Sequence, residues 1–395
     1  MNFYVYPEKE LLKLFEYVKK NVPYYKNIEA SKLNDFPIIN KMEINEHFDD
    51  FQSKKFKNTK LHWVATSGST GNPFRASQNK NKRKRNIADL LFFHGLNGWK
   101  LGYKYVFLRA WTSNYKVSKL RIFAQNYYPI DLENFNDEKK DNLIKLLNNN
   151  KKIKVLITYA SGLENFMNYI QEKQIKIISN NLKVIFTDSD DLKKSTKEKA
   201  NKIFGCPIIN RYSNEEQGVL ACTSPDEDEF ILNNASYYFE LLQLDKDEPV
   251  KPGEVGRVVI TDLYNYSMPF IRYDTGDLAV SHDLDRFNIT TFDSLQGRMS
   301  DLIYSTKGFM VSSGIVNNHF FKLNKIKQYQ IIQTEIKKYI INIVYKNLVR
   351  EDNYVIDVCK EILGEDADIK LVKLEKISSE KNGKFKTVIN RMENK

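Results

Sequence analysis

The sequence predicts an α/β fold, with a large domain of mostly parallel strands and a β-rich subdomain, followed by a small, mobile C-terminal α+β domain. Three observations predict it. Apolar runs such as Lys154-Val155-Leu156-Ile157-Thr158-Tyr159 and Val184-Ile185-Phe186-Thr187 alternate with helical patterns. Beyond Phe230 the strand candidates follow one another with few helices between them. From Gly297 onward a hairpin pattern, a helix and a strand form a segment of the size of an independent domain.

Length and composition agree with that class. The chain has 395 residues with 24 Phe, 23 Tyr and 3 Trp, enough to build a substantial core, and only 10 Pro and 16 Gly, too few for a fibrous or disordered chain. The three cysteines, Cys206, Cys222 and Cys359, stand far apart and form no C-x-x-C pair, so neither a disulfide framework nor a zinc site is suggested. Reduced thiols, no signal-peptide pattern in the first residues and no membrane-length apolar run lead us to expect a cytoplasmic protein. The net charge of +11 permits a nucleic-acid or polyanion partner. Lys and Asn are abundant everywhere, however, and no nucleic-acid reader module or stacking signature stands out, so no nucleic acid is expected.

Taken in order, Glu8 to Lys20 reads as an amphipathic helix with Leu11, Leu14, Phe15 and Val18 on one face, stopped by Asn21-Val22-Pro23. Phe36 to Lys41 is extended and Lys41 to Phe51 is a short helix. Leu61 to Val64 is β-prone. A basic stretch, Lys80 to Arg85, reads as a solvated helix start or as a contact for an anionic substrate or cofactor phosphate, and Asn86 to Asn97 as an apolar helix. Tyr103 to Trp111 is a strand. After the Lys154–Tyr159 strand comes a helix from Gly162 to Lys173, and after Val184–Thr187 a helix from Lys193 to Phe204, then a short strand Cys206–Asn210. In such sheets ligands bind beyond the carboxyl ends of the strands, which directs attention to the loops after Tyr159, Thr187 and Asn210. Tyr237–Leu244 and Gly256–Leu263 are strands of the β-rich part. Gln328–Gln333 and Tyr339–Tyr345 form a hairpin, followed by a helix Asn353–Leu363 and a strand Asp368–Val372.

Five clusters carry possible chemistry. Thr66-Ser67-Gly68-Ser69-Thr70-Gly71-Asn72-Pro73 packs hydroxyls and glycines into one loop, where inward N–H and O–H groups can cradle phosphate oxygens. It lacks the lysine of the common P-loop, and as a sequence it reads equally as a surface turn. Tyr212-Ser213-Asn214-Glu215-Glu216 offers carboxylates of the kind that hold Mg²⁺ beside nucleotide phosphates, with Glu215 read as a surface residue. Arg272-Tyr273-Asp274-Thr275-Gly276-Asp277 offers a carboxylate able to accept from both hydroxyls of a ribose, or is a β-turn. Gly297-Arg298-Met299-Ser300-Asp301 reads as a hinge or as a linker. Asn382-Gly383-Lys384 places a lysine on a glycine-bearing loop.

In this order the five clusters resemble the adenylate-forming superfamily of acyl-CoA synthetases and related ligases. Pro269-Phe270-Ile271-Arg272-Tyr273, Val22-Pro23-Tyr24-Tyr25, and Phe36-Pro37 with Lys41 resemble its phenylacetate–CoA ligase and capsule-biosynthesis (CapK-like) branch. The resemblance covers nearly the whole chain. It implies an adenylation domain over 1–297 and a lid over 298–395. It implies that Thr66, Ser67, Gly68, Ser69, Thr70 and Gly71 hold the ATP phosphates, that Tyr212 stacks near adenine, and that Asp277 binds the ribose. It further implies that Glu216 binds Mg²⁺, that Arg298 contacts the nucleotide near the hinge, and that Lys384 stabilises charge at the α-phosphate. Thr187-Asp188-Ser189-Asp190 matches the adenine-side loop only loosely.

The implied activity is AMP-forming ligation of a carboxylate, with an amine, a sugar or CoA as acyl acceptor, in capsule or surface polysaccharide assembly. An aryl-acid CoA ligase and a non-catalytic adenylate-binding scaffold are the alternatives. The sequence departs from the family pattern at Ser213, Asp274, Ser300 and Ser378. Tyr159-Ala160-Ser161 and Gly218 to Cys222 are candidates for the acyl pocket, and Cys359, in an amphipathic helix, is the positional candidate for a cysteine acyl-enzyme.

Overall fold

The computed structural model describes residues 7–65, 74–111, 118–132, 135–177, 181–188, 192–283, 289–320, 323, 325–346, 351–377 and 386–392. The chain divides into two compact units, Met1–Lys100 with Ile209–Leu295 and Leu101–Ile208 with Gln296–Lys395.

In chain order the first stretch contributes α1 (Glu8–Asn21), α2 (Lys41–Glu46), β1 (His62–Ala65), β2 (Arg75–Gln78) and α3 (Lys80–Leu96). The second contributes β3 (Lys104–Arg109), α4 (Lys119–Ala124), β4 (Tyr127–Asp131), α5 (Asp137–Asn149), β5 (Ile153–Tyr159), α6 (Ala160–Glu172), β6 (Val184–Asp188) and α7 (Lys194–Phe204). The third supplies β7 (Ile208–Asn214), β8 (Gly218–Thr223), β9 (Phe230–Leu232), β10 (Tyr237–Leu242), β11 (Val255–Asp262), β12 (Tyr273–Val280) and β13 (Thr291–Phe292). The last holds β14 (Ser294–Arg298), β15 (Ile303–Tyr304), β16 (Met310–Val311), α8 (Ser313–Phe320), β17 (Ile326–Glu335), β18 (Lys338–Tyr345), α9 (Asp352–Leu363), β19 (Asp368–Lys373) and β20 (Val388–Asn390).

In the first unit β10, β11 and β12 are antiparallel neighbours, and β13, β9, β8 and β7 form a second antiparallel run. The apolar face of α1, with Leu11, Leu14, Phe15 and Val18 buried as its periodicity requires, closes a core with Phe36, Phe51, Phe74, Phe270 and Tyr273. α3 begins at Asn79, whose side chain accepts the backbone N–H of Lys82 at 2.9 Å.

In the second unit β6, β5, β3 and β4 are parallel, and β5 and β6 read as near-continuous apolar runs because both faces are covered. The residues from Gln296 onward build the order β19, β18, β17, β20 around the β17–β18 hairpin, with α8 and α9 sharing one core with the sheet.

Most expected elements stand where the periodicity puts them, and four readings need correction. Lys80–Arg85 and the apolar segment after it are one continuous helix, α3, and it is not solvated throughout, since Lys82 is wholly buried. The strand expected to end at Asn210 runs to Asn214, so Tyr212 lies within β7. Tyr273 to Asp277 is strand β12 and not a β-turn. The expected helix Lys41–Phe51 stops at Glu46. In addition, α4, β4 and α5 had no counterpart in the sequence reading. β4 carries Pro129 at the end of its sheet, where a missing N–H is tolerated.

Candidate active site

Strands β7 and β8 pair antiparallel, with Tyr212 opposite Ala221 and a register shift between Tyr212 and Ser213. Their connection, Glu215-Glu216-Gln217, is tight. The backbone N–H of Gln217 donates to Asn214 Oδ1 at 2.8 Å, and Gly218 adopts φ +109°, where a Cβ would also press on the Asn86 side chain. Glu215 points outward and is exposed, as expected, while Glu216 is buried.

Several groups from other parts of the chain hold this connection. Gln78, at the end of β2, donates Nε2–H to the Glu216 carbonyl at 2.9 Å. The Tyr237 hydroxyl donates to the Gln217 carbonyl at 2.5 Å. Tyr237 in turn sits 2.9 Å from Lys82 Nζ, which pairs with Asp262 Oδ2 at 2.6 Å. Asp262 Oδ1 accepts the backbone N–H groups of Tyr264 and Asn265. Every member of this cluster is buried, and the Asp262 carboxylate is engaged by the Lys82 ion pair at Oδ2 and by two backbone N–H groups at Oδ1, which is what a buried charge needs to persist.

The Glu216 side chain faces a second cluster. Tyr273 donates its hydroxyl to Oε1 at 2.7 Å, and Lys41 Nζ lies 3.2 Å from the same oxygen. Burial and the neighbouring Glu216 charge hold the Tyr273 phenol well above its ordinary value, so it acts as a donor. Oε2 of Glu216 is buried with no hydrogen-bond partner among the described residues. A buried carboxylate oxygen left bare costs free energy, and a hard oxygen at the edge of a polar site is the ligand atom that Mg²⁺ takes. The donor set therefore fits a divalent cation held through one carboxylate.

Tyr273 owes its position to a strained neighbour. Arg272 has φ +53°, a region few side chains adopt, and its guanidinium is fixed by Glu240 and by the Phe36 carbonyl. Across β12, Asp277 Oδ2 accepts the Tyr212 hydroxyl at 2.7 Å. Tyr212, Asp277 and Glu216, three residues singled out by the sequence, thus lie in one unit, the first two in direct contact. Asp274, one of the departures from the family pattern, pairs with Arg257 at 2.8 Å.

Arg298 belongs to the other unit, at the end of β14, with its side chain exposed. One residue earlier, Gly297 has φ +89°, and a Cβ there would be strained and would fall 2.3 Å from Ser313 Oγ, forcing that side chain aside. Asp301 pairs with Lys386 at 2.9 Å. Thr66 to Pro73 and Lys384 lie outside the described residues, as do Ser189 and Asp190. Cys359 is buried in α9 and burial pushes its thiol up to about 12, which makes it a core residue and a poor nucleophile. His94 is buried against Trp99, its Nε2 3.1 Å from Arg211.

Sequence reasoning gave no role to Lys41, Gln78 or Tyr237. Lys41 and Tyr273 were visible only as part of branch-specific motifs, and nothing in either motif signals a contact with Glu216.

Residues 303–391 match the family model of the CapK C-terminal domain. The chain is 25% identical to Protein CapK of Staphylococcus aureus over 404 residues, covering 98% of this chain and 87% of that protein. Among solved structures it is similar to 2-hydroxyisobutyryl-CoA ligase in the postadenylation state with R3-HIB-AMP, at a TM-score of 0.74 and 14% identity, covering 98% of this chain and 88% of that one. It is also similar to ATP-bound MatB from Rhodopseudomonas palustris, at a TM-score of 0.61 and 15% identity, covering 82% and 66%. The anthranilate CoA ligase AuaEII with anthranoyl-AMP matches at 0.60 and 13%, covering 82% and 64%. The fold is that of the adenylate-forming ligases, in line with the motif resemblance, and the C-terminal segment is CapK-like. No helix among the described residues is long and apolar enough to cross a membrane.

Proposed function

We propose that the protein is an ATP-dependent, AMP-forming ligase that activates a carboxylate as an acyl-adenylate and passes the acyl group to an acceptor in capsule or surface polysaccharide assembly. The observation that carries this reading is the buried Oε2 of Glu216, without a hydrogen-bond partner among the described residues, on a connection held by Gln78 and Tyr237 in the unit that also contains the Tyr212–Asp277 pair. The likeness to CapK supports the capsule context.

In this reading a substrate carboxylate attacks the α-phosphorus of ATP, one P–O bond forms, and pyrophosphate leaves with the electron pair of the bond that breaks. Tyr212 and Asp277 orient the nucleoside, Asp277 accepting from the ribose hydroxyls. Thr66, Ser67, Gly68, Ser69, Thr70 and Gly71 cradle the phosphates. Glu216 would hold a divalent cation, which would supply charge neutralisation on the phosphates. Lys384, on a lid formed by 298–395, meets the charge that develops on the α-phosphoryl oxygens. Gly297 to Asp301 is the hinge, with Arg298 near the nucleotide, and the closed lid shields the mixed anhydride from water.

A second reading, an aryl-acid CoA ligase, is favoured by the likeness to CoA ligases. Pyrophosphate release with ATP, Mg²⁺ and a panel of aryl acids, uronic acids, amino acids and fatty acids tests both. Release with one acid class establishes adenylation, and thioester formation on adding CoA selects the second reading. ATP binding without release for any acid would point to a scaffold.

A further inference from the structure

Among the described residues of the Glu216 cluster, Lys41 is the one with access to solvent. Its side chain is 38% exposed, whereas that of Glu216 is 2% exposed. Its ammonium stands 3.2 Å from Glu216 Oε1 and 5.4 Å from the centre of the Phe74 ring. Phe74 directly follows Pro73 in the chain, and its ring lies parallel to that of Tyr273, 6.3 Å away. A lysine is a compact charge on a flexible stem, able to exchange one anionic partner for another without disturbing its neighbours.

We propose that Lys41 is a resident counter-ion that makes cation binding at Glu216 conditional on a triphosphate. The inference rests on the reading of Glu216 as the cation ligand. In the free protein Lys41 balances the buried carboxylate through Oε1, and Oε2 has no hydrogen-bond partner among the described residues. A divalent cation arriving alone meets the lysine's positive charge a few ångströms away and is repelled. When the two arrive together, the triphosphate gives the pair a net negative charge, and Lys41 becomes a phosphate contact. One side chain thus weakens binding of the bare ion and strengthens binding of the ion–nucleotide pair.

These opposite signs separate the proposal from a merely structural role, which would weaken both. The test is Mn²⁺ titration of the full chain, followed by the electron paramagnetic resonance of free Mn²⁺, with and without α,β-methylene-ATP. For Lys41→Met we expect bare Mn²⁺ to bind about tenfold more tightly, the size of one unit charge removed from beside a divalent ion in a wet site. The Mn²⁺–nucleotide pair should bind about tenfold more weakly. Lys41→Arg should restore both, and Lys41→Gln should repeat the Met result if that variant folds poorly. Weakening of both affinities, or no change in either, overturns the proposal. Glu216→Gln separates the two layers. If it leaves Mn²⁺ binding unchanged, the reading of Glu216 falls and the inference with it. If it weakens Mn²⁺ while Lys41→Met fails to split the signs, only the role of Lys41 falls.

Discussion

Two clusters in the same unit are built from the same three groups, a lysine, a carboxylate and a tyrosine. In one, Lys82, Asp262 and Tyr237 are all buried, with Asp262 Oδ1 accepting two backbone N–H groups and Oδ2 held in an ion pair with Lys82. In the other, Lys41 reaches solvent and one oxygen of Glu216 has no hydrogen-bond partner among the described residues. The difference teaches that composition does not separate a structural charge cluster from a chemical one. Satisfaction and access do. The first cluster ends on the carbonyl of Gln217 and so supports the connection that presents Glu216. The closed cluster holds the open one in place.

The sharpest way to break this comparison is to open the closed cluster. Lys82→Ala leaves Asp262 buried and unpaired, and we expect a loss of about 3–5 kcal/mol in urea denaturation. The paired replacement Lys82→Met with Asp262→Leu should recover most of that loss. If Lys82→Ala costs under about 1 kcal/mol, the two clusters are not different in kind.

A smaller effect is expected at Tyr273→Phe, which removes a hydrogen bond to a charged group. A loss of about 1.5–3 kcal/mol is expected, read by the same denaturation curves. Tyr212→Phe removes its bond to Asp277, and a stability change of about 1 kcal/mol with a few-fold rise in KM for ATP is the expected result.

The mildest test concerns His94. Burial first, and the Arg211 charge second, hold its imidazole well below the ordinary 6.5. The folded state therefore keeps His94 neutral while the unfolded state takes up a proton below that value. Its stabilising contribution is complete above about pH 6.5 and is lost as pH falls toward the folded value, by up to about 1.4 kcal/mol per pH unit. His94→Gln should flatten that slope, as seen in melting temperatures between pH 7 and 5.

How much of this was legible in the sequence depends on the kind of signal. Buried parallel strands such as β5 and β6 announce themselves as apolar runs, and α1 by its period. α5 is mostly charged and polar, with Leu143, Ile144 and Leu147 as its buried anchors crowded into its second half, so its apolar period is weak even though Asn136 caps its start. The sequence ends this strand at Asn210 because Arg211-Tyr212-Ser213-Asn214 has no apolar alternation, and these last residues of β7 are held by pairing with β8. The buried Lys82 was invisible among five other polar residues between Lys80 and Arg85, because burial there is decided by Asp262 and Tyr237, far along the chain. At the candidate site Tyr212, Glu216 and Asp277 were legible through motif order. The Lys41 contact was not, since it joins residues that only the folded chain brings together.

The most direct test of the account is pyrophosphate release by Glu216→Gln, measured on a sample whose melting temperature is within a few degrees of the wild type. The account predicts a fall of about 10²–10³ in rate with the fold intact, the size expected for loss of one charged stabilising contact. Release within a few-fold of the wild type would contradict it, and would make Glu216 a second structural carboxylate like Asp262.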